Sequence, residues 1–350
     1  MPALPNLISF NEDGTCSQCR EYEPVRLAGE GRLVELLESC RNGKNKYDCM
    51  VTISGCRDSS FTLLKMVKDY RLRVLAVNYE NPFVDEQAAT NIQNTTKALG
   101  VKLVQFRWHN RIHERIVADH LRAWLKRPSP AMVPAICVGC KIMWYHILKI
   151  ARDHGIKCIV SGGNPYEYTS FKKVLLGVPH DADLVTTYML NVFCLAKETL
   201  LNVSYLSPRN LPWMIKGYLF GNQYSVGTRL LGIGIEKIDL FHYISWDEDM
   251  VLSRIREELG WESPQSLPST WRFDCRLSHL KDLMYLLSLG VTEKDDFYSK
   301  LIREKMITRK EALLRVEKEN KLHQGIIDDL FHQLGINDVT FLSLSEKTGI

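Results

Sequence analysis

Strand-like and helix-like patterns alternate between residues 47 and 164, and this alternation restricts the fold more than any other feature of the chain. Short apolar runs with β-branched residues predict strands, and apolar residues at helical spacing predict the helices between them. The predicted strands are Tyr47–Ile53, Arg73–Tyr79, Lys102–Phe106 and Cys158–Val160. Repeated β-α-β units favour a doubly wound parallel sheet with helices on both faces, and therefore an α/β fold.

The remaining sequence predicts a short N-terminal region and a mainly helical C-terminal region. Helical spacing covers Phe61–Tyr70, Asp85–Leu99, Ile112–Trp124, the stretch from Cys137 to His154, Asp247–Leu259, Leu277–Leu289 and Arg309–Asn320. We therefore divide the chain into an N-terminal Cys-x-x-Cys segment (1–45), an α/β domain (46–170) and a mainly helical substrate or partner region (171–350).

The charge balance and the start of the sequence indicate a cytoplasmic protein. The 350 residues include 45 Lys and Arg and 41 Asp and Glu, a net charge of +4, which is too small to indicate binding to nucleic acid or to a membrane. No apolar run approaches the ~20 residues of a spanning helix, and the first residues lack the pattern of a signal peptide. In a reducing compartment the ten cysteines are expected to be free thiols or metal ligands.

The segment after the first predicted strand has the composition of a phosphate-binding turn. It reads Ser54, Gly55, Cys56, Arg57, Asp58, Ser59 and Ser60. A small-residue turn between a strand and a helix lets backbone N–H groups face a phosphate, and serine hydroxyls can donate hydrogen bonds to it. Arg57 would add a cation, and Asp58 would hold Mg²⁺ or cap the helix. The alternative is a simple turn with an N-cap and no ligand.

This segment resembles the Ser-Gly-Gly-x-Asp-Ser PP-loop of the N-type ATP pyrophosphatases, with Cys56 in place of the second glycine. The resemblance implies an adenine nucleotide alpha-hydrolase-like (HUP-type) fold for residues 46–170. It also implies attack of a substrate oxygen on the α-phosphate of ATP, release of pyrophosphate, and displacement of AMP by a nitrogen or sulfur nucleophile. The implied catalytic residues are Asp58, Arg57 and Ser59, and the implied residues for ATP with Mg²⁺ are Ser54, Gly55, Cys56 and Ser60.

A second glycine-rich segment follows the last predicted strand. Residues 162–167 resemble a Gly-His-Asn-x-x-Asp-like segment of the same superfamily, with Gly163 in place of the histidine. The resemblance implies that Gly162, Asn164 and Glu167 line the nucleotide site, whereas the alternative is a plain turn. Both glycine-rich segments follow predicted strands, at the edge where parallel sheets bind their ligands.

Two Cys-x-x-Cys pairs are candidate metal ligands. The pairs are Cys16 with Cys19 and Cys137 with Cys140. This spacing lets two thiolates chelate Zn²⁺ or join an iron–sulfur cluster, although two core thiols can share it without a metal. The tRNA thiolases of the superfamily hold a [4Fe-4S] cluster with a third, distant cysteine, and this resemblance makes Cys275 the candidate third ligand. The choice between zinc and an iron–sulfur cluster stays open.

Segments along most of the chain resemble the bacterial N-acetyl-sugar amidotransferases. They are residues 11–19, 243–247 and 302–312. The resemblance implies conversion of an acetamido sugar to an amidino sugar for surface polysaccharide, with ammonia from a separate glutaminase subunit.

The sequence leaves three functions open. The leading one is ATP-dependent adenylation followed by amidation of a small sugar or nucleotide substrate. The second is sulfur transfer from a separate donor to a nucleotide, base or tRNA, which the thiol count would suit. The third is a degenerate nucleotide-binding protein, which Cys56 and Gly163 would suit. No membrane partner is expected, and nucleic acid is expected only in the form of tRNA.

Overall fold

The computed structural model describes residues 8–41, 43, 45–169, 175, 184–222 and 225–336, and within them five strands form one parallel sheet. The strands are β1 (Cys49–Thr52), β2 (Val74–Tyr79), β3 (Lys102–Phe106), β4 (Cys158–Ser161) and β5 (Glu236–Asp239). Their order is β3-β2-β1-β4-β5, and every pairing is parallel. This topology confirms the predicted doubly wound α/β fold.

The described helices connect the strands and continue into a mainly helical C-terminal region, as predicted. Before β5 lie α1 (Ser17–Arg20), α2 (Glu30–Cys40), α3 (Arg57–Leu64), α4 (Glu86–Ala98), α5 (Ile112–Lys126), α6 (Val138–Lys141), α7 (Met143–Asp153), α8 (Leu184–Leu201), α9 (Leu211–Leu219) and α10 (Val226–Leu231). After β5 lie α11 (Glu248–Leu259), α12 (Leu277–Leu289), α13 (Glu293–Arg303), α14 (Arg309–Glu319) and α15 (Gln324–Gln333). A π-helical turn, Lys65–Asp69, extends α3, and 3-10 helices cover Pro130–Cys137, Pro165–Glu167, Val203–Tyr205 and Leu240–His242.

Alternate side chains of the strands enter two separate cores, one on each face of the sheet. On β1, Cys49 and Val51 pack in the core that contains Phe61 of α3, whereas Met50 packs on the other face with Leu148 of α7. All five side chains are fully buried. Successive residues of a strand point to opposite faces, and both faces of this sheet are covered. Cys49, Met50 and Val51 are therefore all apolar, with no polar residue between them.

Strand β5 comes from the part of the sequence that we assigned to the helical region. It pairs with β4 and completes the edge of the sheet. The sequence analysis missed it because its four residues include Glu236, Lys237 and Asp239, which do not form an apolar strand pattern. The division at residue 170 stays a prediction, and the sheet takes one strand from beyond it.

One helical stretch in the described residues, Pro130–Asp153, is long and apolar enough to cross a membrane by length and composition. This differs from the expectation that no apolar run reaches such a length. The stretch combines a 3-10 helix with α6 and α7, and more than half of its apolar window is buried within the molecule. Buried helices of a protein core pass the same test.

Asn91 on α4 joins three segments around the turn that follows β1. Its amide nitrogen donates to the carbonyl oxygens of Glu262 (2.7 Å) and Gly55 (3.4 Å), and its side-chain oxygen accepts from the N–H of Glu262 (3.1 Å). The side chain is fully buried. A buried amide with its donors and acceptor satisfied holds the neighbouring backbone in one arrangement.

We expect Asn91→Ala to lower the free energy of unfolding by ~2 kcal/mol, because the fully buried amide is lost together with its two part-buried hydrogen bonds to the backbone of Glu262. Urea unfolding of the whole chain measures the effect. Asn94→Ala is the matched control, since Asn94 lies on the same helix, is exposed and donates only to the carbonyl oxygen of Gly260 at 3.3 Å. Equal losses of stability in the two variants would contradict the prediction.

Candidate functional site

The turns after β1 and β4 meet at the carboxyl edge of the sheet, where the strand order reverses. A Cβ atom on Gly162 would lie 2.7 Å from the carbonyl carbon of Asp58 and 2.8 Å from the nitrogen of Ser59. The β4 turn therefore lies directly against the first turn of α3, and only glycine allows this distance. The two glycine-rich segments come together at the position where open α/β sheets bind ligands.

Gly55 gives the β1 turn its shape. Its φ is +83°, and a Cβ atom there would lie 2.1 Å from the carbonyl oxygen of Ala88. The carbonyl oxygen of Gly55 accepts a hydrogen bond from the indole nitrogen of Trp261 at 2.9 Å, in addition to the bond from Asn91. Any side chain at position 55 would both strain the backbone and collide with α4.

Cys56 is the N-cap residue of α3. Its sulfur accepts from the N–H of Ser59 at 3.5 Å, as a serine or aspartate oxygen does at other helix starts. Burial raises the pKa of this thiol to about 12, and the nearby charges of Asp274 and Asp58 act in the same direction. The thiol is therefore protonated at neutral pH, and the helix N-terminus does not make it a nucleophile.

The two serines of the α3 first turn differ in their contacts. The Ser59 hydroxyl accepts from the N–H of Ser54 (3.2 Å) and donates to the carbonyl oxygen of Cys56 (3.2 Å), so it braces the turn from within. The Ser60 hydroxyl is buried and has no hydrogen-bond partner among the described residues. Catalysis by Ser59 and ATP binding by Ser60 stay predictions.

Asp58 is held by groups from two other parts of the chain. Its carboxylate accepts from the amide of Asn164, after β4, at 3.2 Å and from the indole nitrogen of Trp246, before α11, at 3.0 Å. Asn164 is itself fixed, because its side-chain oxygen accepts from the N–H of Tyr166 at 3.0 Å. The three contacts place the Asp58 carboxylate at the N-terminus of α3 in one orientation.

Arg57 is buried and bound to protein groups. Its guanidinium donates to Glu248, to the Thr270 hydroxyl at 2.9 Å and to Glu167 at 3.4 Å. It also stacks on Trp246, with 4.8 Å between the guanidinium carbon and the ring centroid. The side chain is 2% exposed. Arg57 therefore positions the acidic groups around it, and its contact with a leaving pyrophosphate stays a prediction.

A cavity of about 270 Å³ opens beside these groups. We call it the loop cavity. Its lining comprises Cys56, Arg57, Asp58, Cys137, Glu167, Thr270, Arg272, Asp274, Cys275, Leu277, Ser278 and Lys281. Four distant parts of the chain thus line one cavity. They are the turn after β1, the turn after β4, the second Cys-x-x-Cys pair and the segment before α12.

The acidic groups of the loop cavity are close enough to affect one another. Burial and the charge of Asp58 together raise the pKa of Glu167 to about 7, against the opposing effect of Arg272 and Arg57. Burial also raises the pKa of Asp274. Carboxyl groups that share a partly dry space with two cations can hold either protons or a divalent cation at neutral pH.

Trp246, Arg272 and Lys281 are among the residues of this site that the sequence analysis missed. Trp246 lies in a segment that resembled the amidotransferases, and this resemblance was its only signal. Arg272 donates to the carbonyl oxygen of Glu167 (2.8 Å) and to the Glu293 carboxylate (3.1 Å), and Lys281 donates to the same carboxylate. Their nearness to Cys275 in sequence was the signal that could have indicated them.

The cysteines of the second pair approach Cys275 in two ways, Cys140 through the amide of Asn81 and Cys137 through the loop cavity. The Asn81 amide donates to the Cys275 sulfur at 3.1 Å and to the Cys140 sulfur at 3.9 Å, while Cys137 and Cys275 both line the loop cavity. Burial raises the pKa of Cys275 to about 12 and that of Cys140 well above its usual value.

The N-terminal pair lies elsewhere, outside the lining of the loop cavity. Its Cys16 and Cys19 sulfurs are 3.4 Å apart. Among the described residues, no group of three or more histidine, cysteine, aspartate or glutamate side chains is arranged to hold a metal ion. The metal assignments of Cys16, Cys19, Cys137, Cys140 and Cys275 therefore stay predictions.

Comparison with known proteins adds little to this geometry. No protein family profile matches the chain. An uncharacterised protein from Methanocaldococcus jannaschii is 22% identical over 255 residues, which cover 71% of this chain and 83% of that protein. The NMN synthetase from Francisella tularensis aligns with a TM-score of 0.28 and 12% identity over 68% of this chain and 97% of that one. The fold assignment rests on the strand order and the parallel pairings.

The raised pKa of Glu167 predicts a specific pH dependence of stability. Between pH 4.5, its usual pKa, and about 7, the folded protein binds the Glu167 proton and the unfolded chain does not, so this group's contribution to stability falls as pH rises. We expect the free energy of unfolding of the parent to fall relative to that of Glu167→Gln across this range.

Urea unfolding at half-unit pH intervals tests this expectation. Glu317→Gln, at an exposed position of α14, is the matched control and should follow the parent. A constant difference between the parent and Glu167→Gln from pH 4.5 to 7 would show that Glu167 ionises in the folded protein as it does in water.

Proposed function

We propose that this protein binds ATP with Mg²⁺ in the loop cavity and activates a substrate oxygen as an adenylate. The observation that carries the proposal is the position of Asp58. Its carboxylate stands at the N-terminus of α3, is fixed by Asn164 and Trp246, and faces the same cavity as Glu167. Without a ligand, a fold gains little from holding several carboxylates together at the edge where such sheets bind nucleotides.

The turn between β1 and α3 supplies the features that a phosphate chain needs. The first N–H groups of α3 have no partners within the helix, and the helix dipole adds partial positive charge there. Gly55 and Gly162 keep side chains out of the space around that turn. The hydrogen bonds of the Ser59 hydroxyl to Ser54 and Cys56 fix the turn, so the turn has its shape before a ligand binds.

Mg²⁺ would enter the loop cavity with the phosphates of ATP. It would take most of its ligands from phosphate oxygens and water and one or two from the carboxylates that line the cavity, Asp58, Glu167 and Asp274, since no three such side chains among the described residues are arranged to hold the ion by themselves. Burial and the charge of Asp58 raise the pKa of Glu167, and a bound cation would lower it again. When bound, Mg²⁺ neutralises charge on the phosphates. Arg272 and Lys281 add positive charge to the same cavity.

In the proposed reaction a substrate oxygen attacks the α-phosphorus of ATP, and the bond to the bridging oxygen of the β-phosphate breaks. Pyrophosphate leaves with that electron pair. A nitrogen nucleophile then attacks the activated carbon, and AMP leaves with the substrate oxygen. The chain's own part is to hold the reacting groups in line and to stabilise the charge that develops on the pyrophosphate.

For the second half of the reaction the sequence favours amidation, with an acetamido sugar as the acceptor and a separate glutaminase as the source of ammonia. Support comes from where the amidotransferase-like segments lie. Trp246 of residues 243–247 bonds Asp58 directly. Arg315, just after residues 302–312, donates to Glu248 and to Glu311, and Glu248 in turn binds Arg57. Trp246 of one such segment therefore contacts the first turn of α3 directly, whereas Glu311 of another reaches it only through Arg315 and Glu248.

We expect Asp58→Asn to reduce pyrophosphate release from ATP by about 100-fold or more, because the amide cannot supply the negative oxygen ligand while its shape is unchanged. Pyrophosphate release is measured with Mg²⁺ and a panel of acetamido sugars and nucleotides, and ATP binding is measured by calorimetry.

Asp249→Asn is the matched control, since Asp249 is exposed on the first turn of α11, close in sequence to the Glu248 that binds Arg57. Two results would count against the proposal. One is that Asp58→Asn releases pyrophosphate as fast as the parent. The other is that the parent binds ATP but releases no pyrophosphate with any acceptor, as a degenerate nucleotide-binding protein would.

Sulfur transfer is the second candidate function, and one observation favours it. Cys137 and Cys275 line the loop cavity, and Cys140 shares the amide of Asn81 with Cys275. Three thiols from two distant segments thus lie beside the proposed adenylate. A persulfide or a cluster there would place sulfur within reach of the activated carbon, and a nucleotide, base or tRNA would then be the acceptor.

Iron and sulfide analysis after purification without oxygen separates the two candidates. For an amidotransferase we expect no stoichiometric iron or sulfide, and we expect Cys275→Ser to release pyrophosphate like the parent. Cys194→Ser on α8, outside the cavity lining, is the matched control. Iron and sulfide that are present in the parent and the control but lost in Cys275→Ser would assign sulfur transfer instead.

A further inference from the structure

A second cavity, of about 520 Å³, lies among α5, the start of α9 and the C-terminal end of α15. Four arginines line it: Arg111, Arg115, Arg122 and Arg209. We call it the arginine cavity. It shares no lining residue with the loop cavity, and none of its arginines belongs to a motif of the sequence analysis.

The amphipathic pattern of α5 places arginines on the cavity side. Arg115 and Arg122 are seven residues apart, which is about two helical turns, so both point to the same side of the helix. The other side is apolar, with Val117, Leu121 and Trp124 buried in a core with α12 and α15. Packing of that apolar side fixes the helix, and the arginines are left to face the cavity.

Two of the four arginines form hydrogen bonds with backbone carbonyl oxygens at the end of α15. Arg111 donates to the carbonyl oxygen of Gln333 at 3.1 Å, and Arg122 donates to that of Gly335 at 2.9 Å. These carbonyls end α15, where cations are favourable. Arg111 also pairs with Glu114, and Arg122 with Asp119. The two carboxylates of the cavity are thereby matched by the two structural arginines.

Arg115 and Arg209 are the uncompensated charges. Both are exposed, and neither forms a side-chain hydrogen bond or ion pair with another described residue. The two carboxylates that line the cavity have other partners: Glu114 pairs with Arg111, and Asp119 pairs with Arg122 and accepts from the Asn210 amide at 2.7 Å. Four guanidinium groups against two carboxylates leave two positive charges facing a concave space.

We propose that the arginine cavity binds the phosphate group of a small phosphorylated molecule through Arg115 and Arg209. Guanidinium groups match phosphate oxygens in pairs, and two positive charges match a phosphomonoester dianion or a diphosphate. Trp213 also lines the cavity and gives the rest of the ligand an aromatic surface. A volume of about 520 Å³ suits a small molecule, and the net charge of +4 for the whole chain does not suit a long polyanion. The inference does not depend on the proposed function.

Calorimetric titration with inorganic pyrophosphate tests the site. Any binding of this probe in the loop cavity is common to the parent and to the variants below, because the two cavities share no lining residue. We expect Arg115→Ala and Arg209→Ala each to weaken pyrophosphate binding by about tenfold, which is the loss of one charge-assisted contact. Arg152→Ala, at an exposed position of α7 outside the cavity, is the matched control with the same charge change and should bind like the parent.

Three results would overturn the proposal. The first is no binding of pyrophosphate to the parent, and the second is equal weakening in the control, which would mean a general charge effect. The third is tighter binding of a short single-stranded RNA than of pyrophosphate, lost in the same two variants, which would assign the surface to nucleic acid. If ATP fails to bind while these titrations succeed, the proposed function fails and the arginine cavity stands.

Discussion

A buried guanidinium group organises the carboxyl edge of this sheet. Arg57 is 2% exposed, and its partners come from distant parts of the chain: Glu167 follows β4, Glu248 begins α11, and Thr270 precedes α12. An isolated charge in a protein interior costs several kcal/mol, so the fold is stable only when those partners are in place. The requirement to compensate one charge therefore ties the C-terminal helices to the sheet.

The same contacts set up the chemistry of the loop cavity. The groups that compensate Arg57 also surround Asp58, and Trp246 contacts both residues, by stacking on one and by donating to the other. Glu167 touches Arg57 on one side and Arg272 on the other, yet burial still raises its pKa. The cavity thus contains oxygen donors that are fixed by contacts within the protein, and the proposed function depends on this arrangement.

The sequence predicted the elements that local patterns define, and it missed those that depend on distant neighbours. The strand at Lys102–Phe106 has the predicted bounds, and the apolar run at 47–53 contains β1. Strand β5 was missed because Glu236 and Lys237 interrupt the apolar pattern expected of a strand. This four-residue edge strand is extended because it pairs with β4. Cys56 was identified as a departure from its motif, but its role as an N-cap became visible only with the position of Ser59.

Local sequence by itself determined that a strand, a glycine-dependent turn and a helix follow one another around residues 54–60, because φ preferences, helix capping and strand periodicity act over a few residues. The structure begins the helix at Arg57, four residues before the predicted start at Phe61. Tertiary structure alone decided which side chains face that turn. The partners of Arg57, the indole that bonds Asp58 and the meeting of Cys140 with Cys275 all join residues more than 100 positions apart. Such contacts form because separate apolar faces are buried together when the chain folds. No local sequence pattern specifies which polar groups this burial brings into contact.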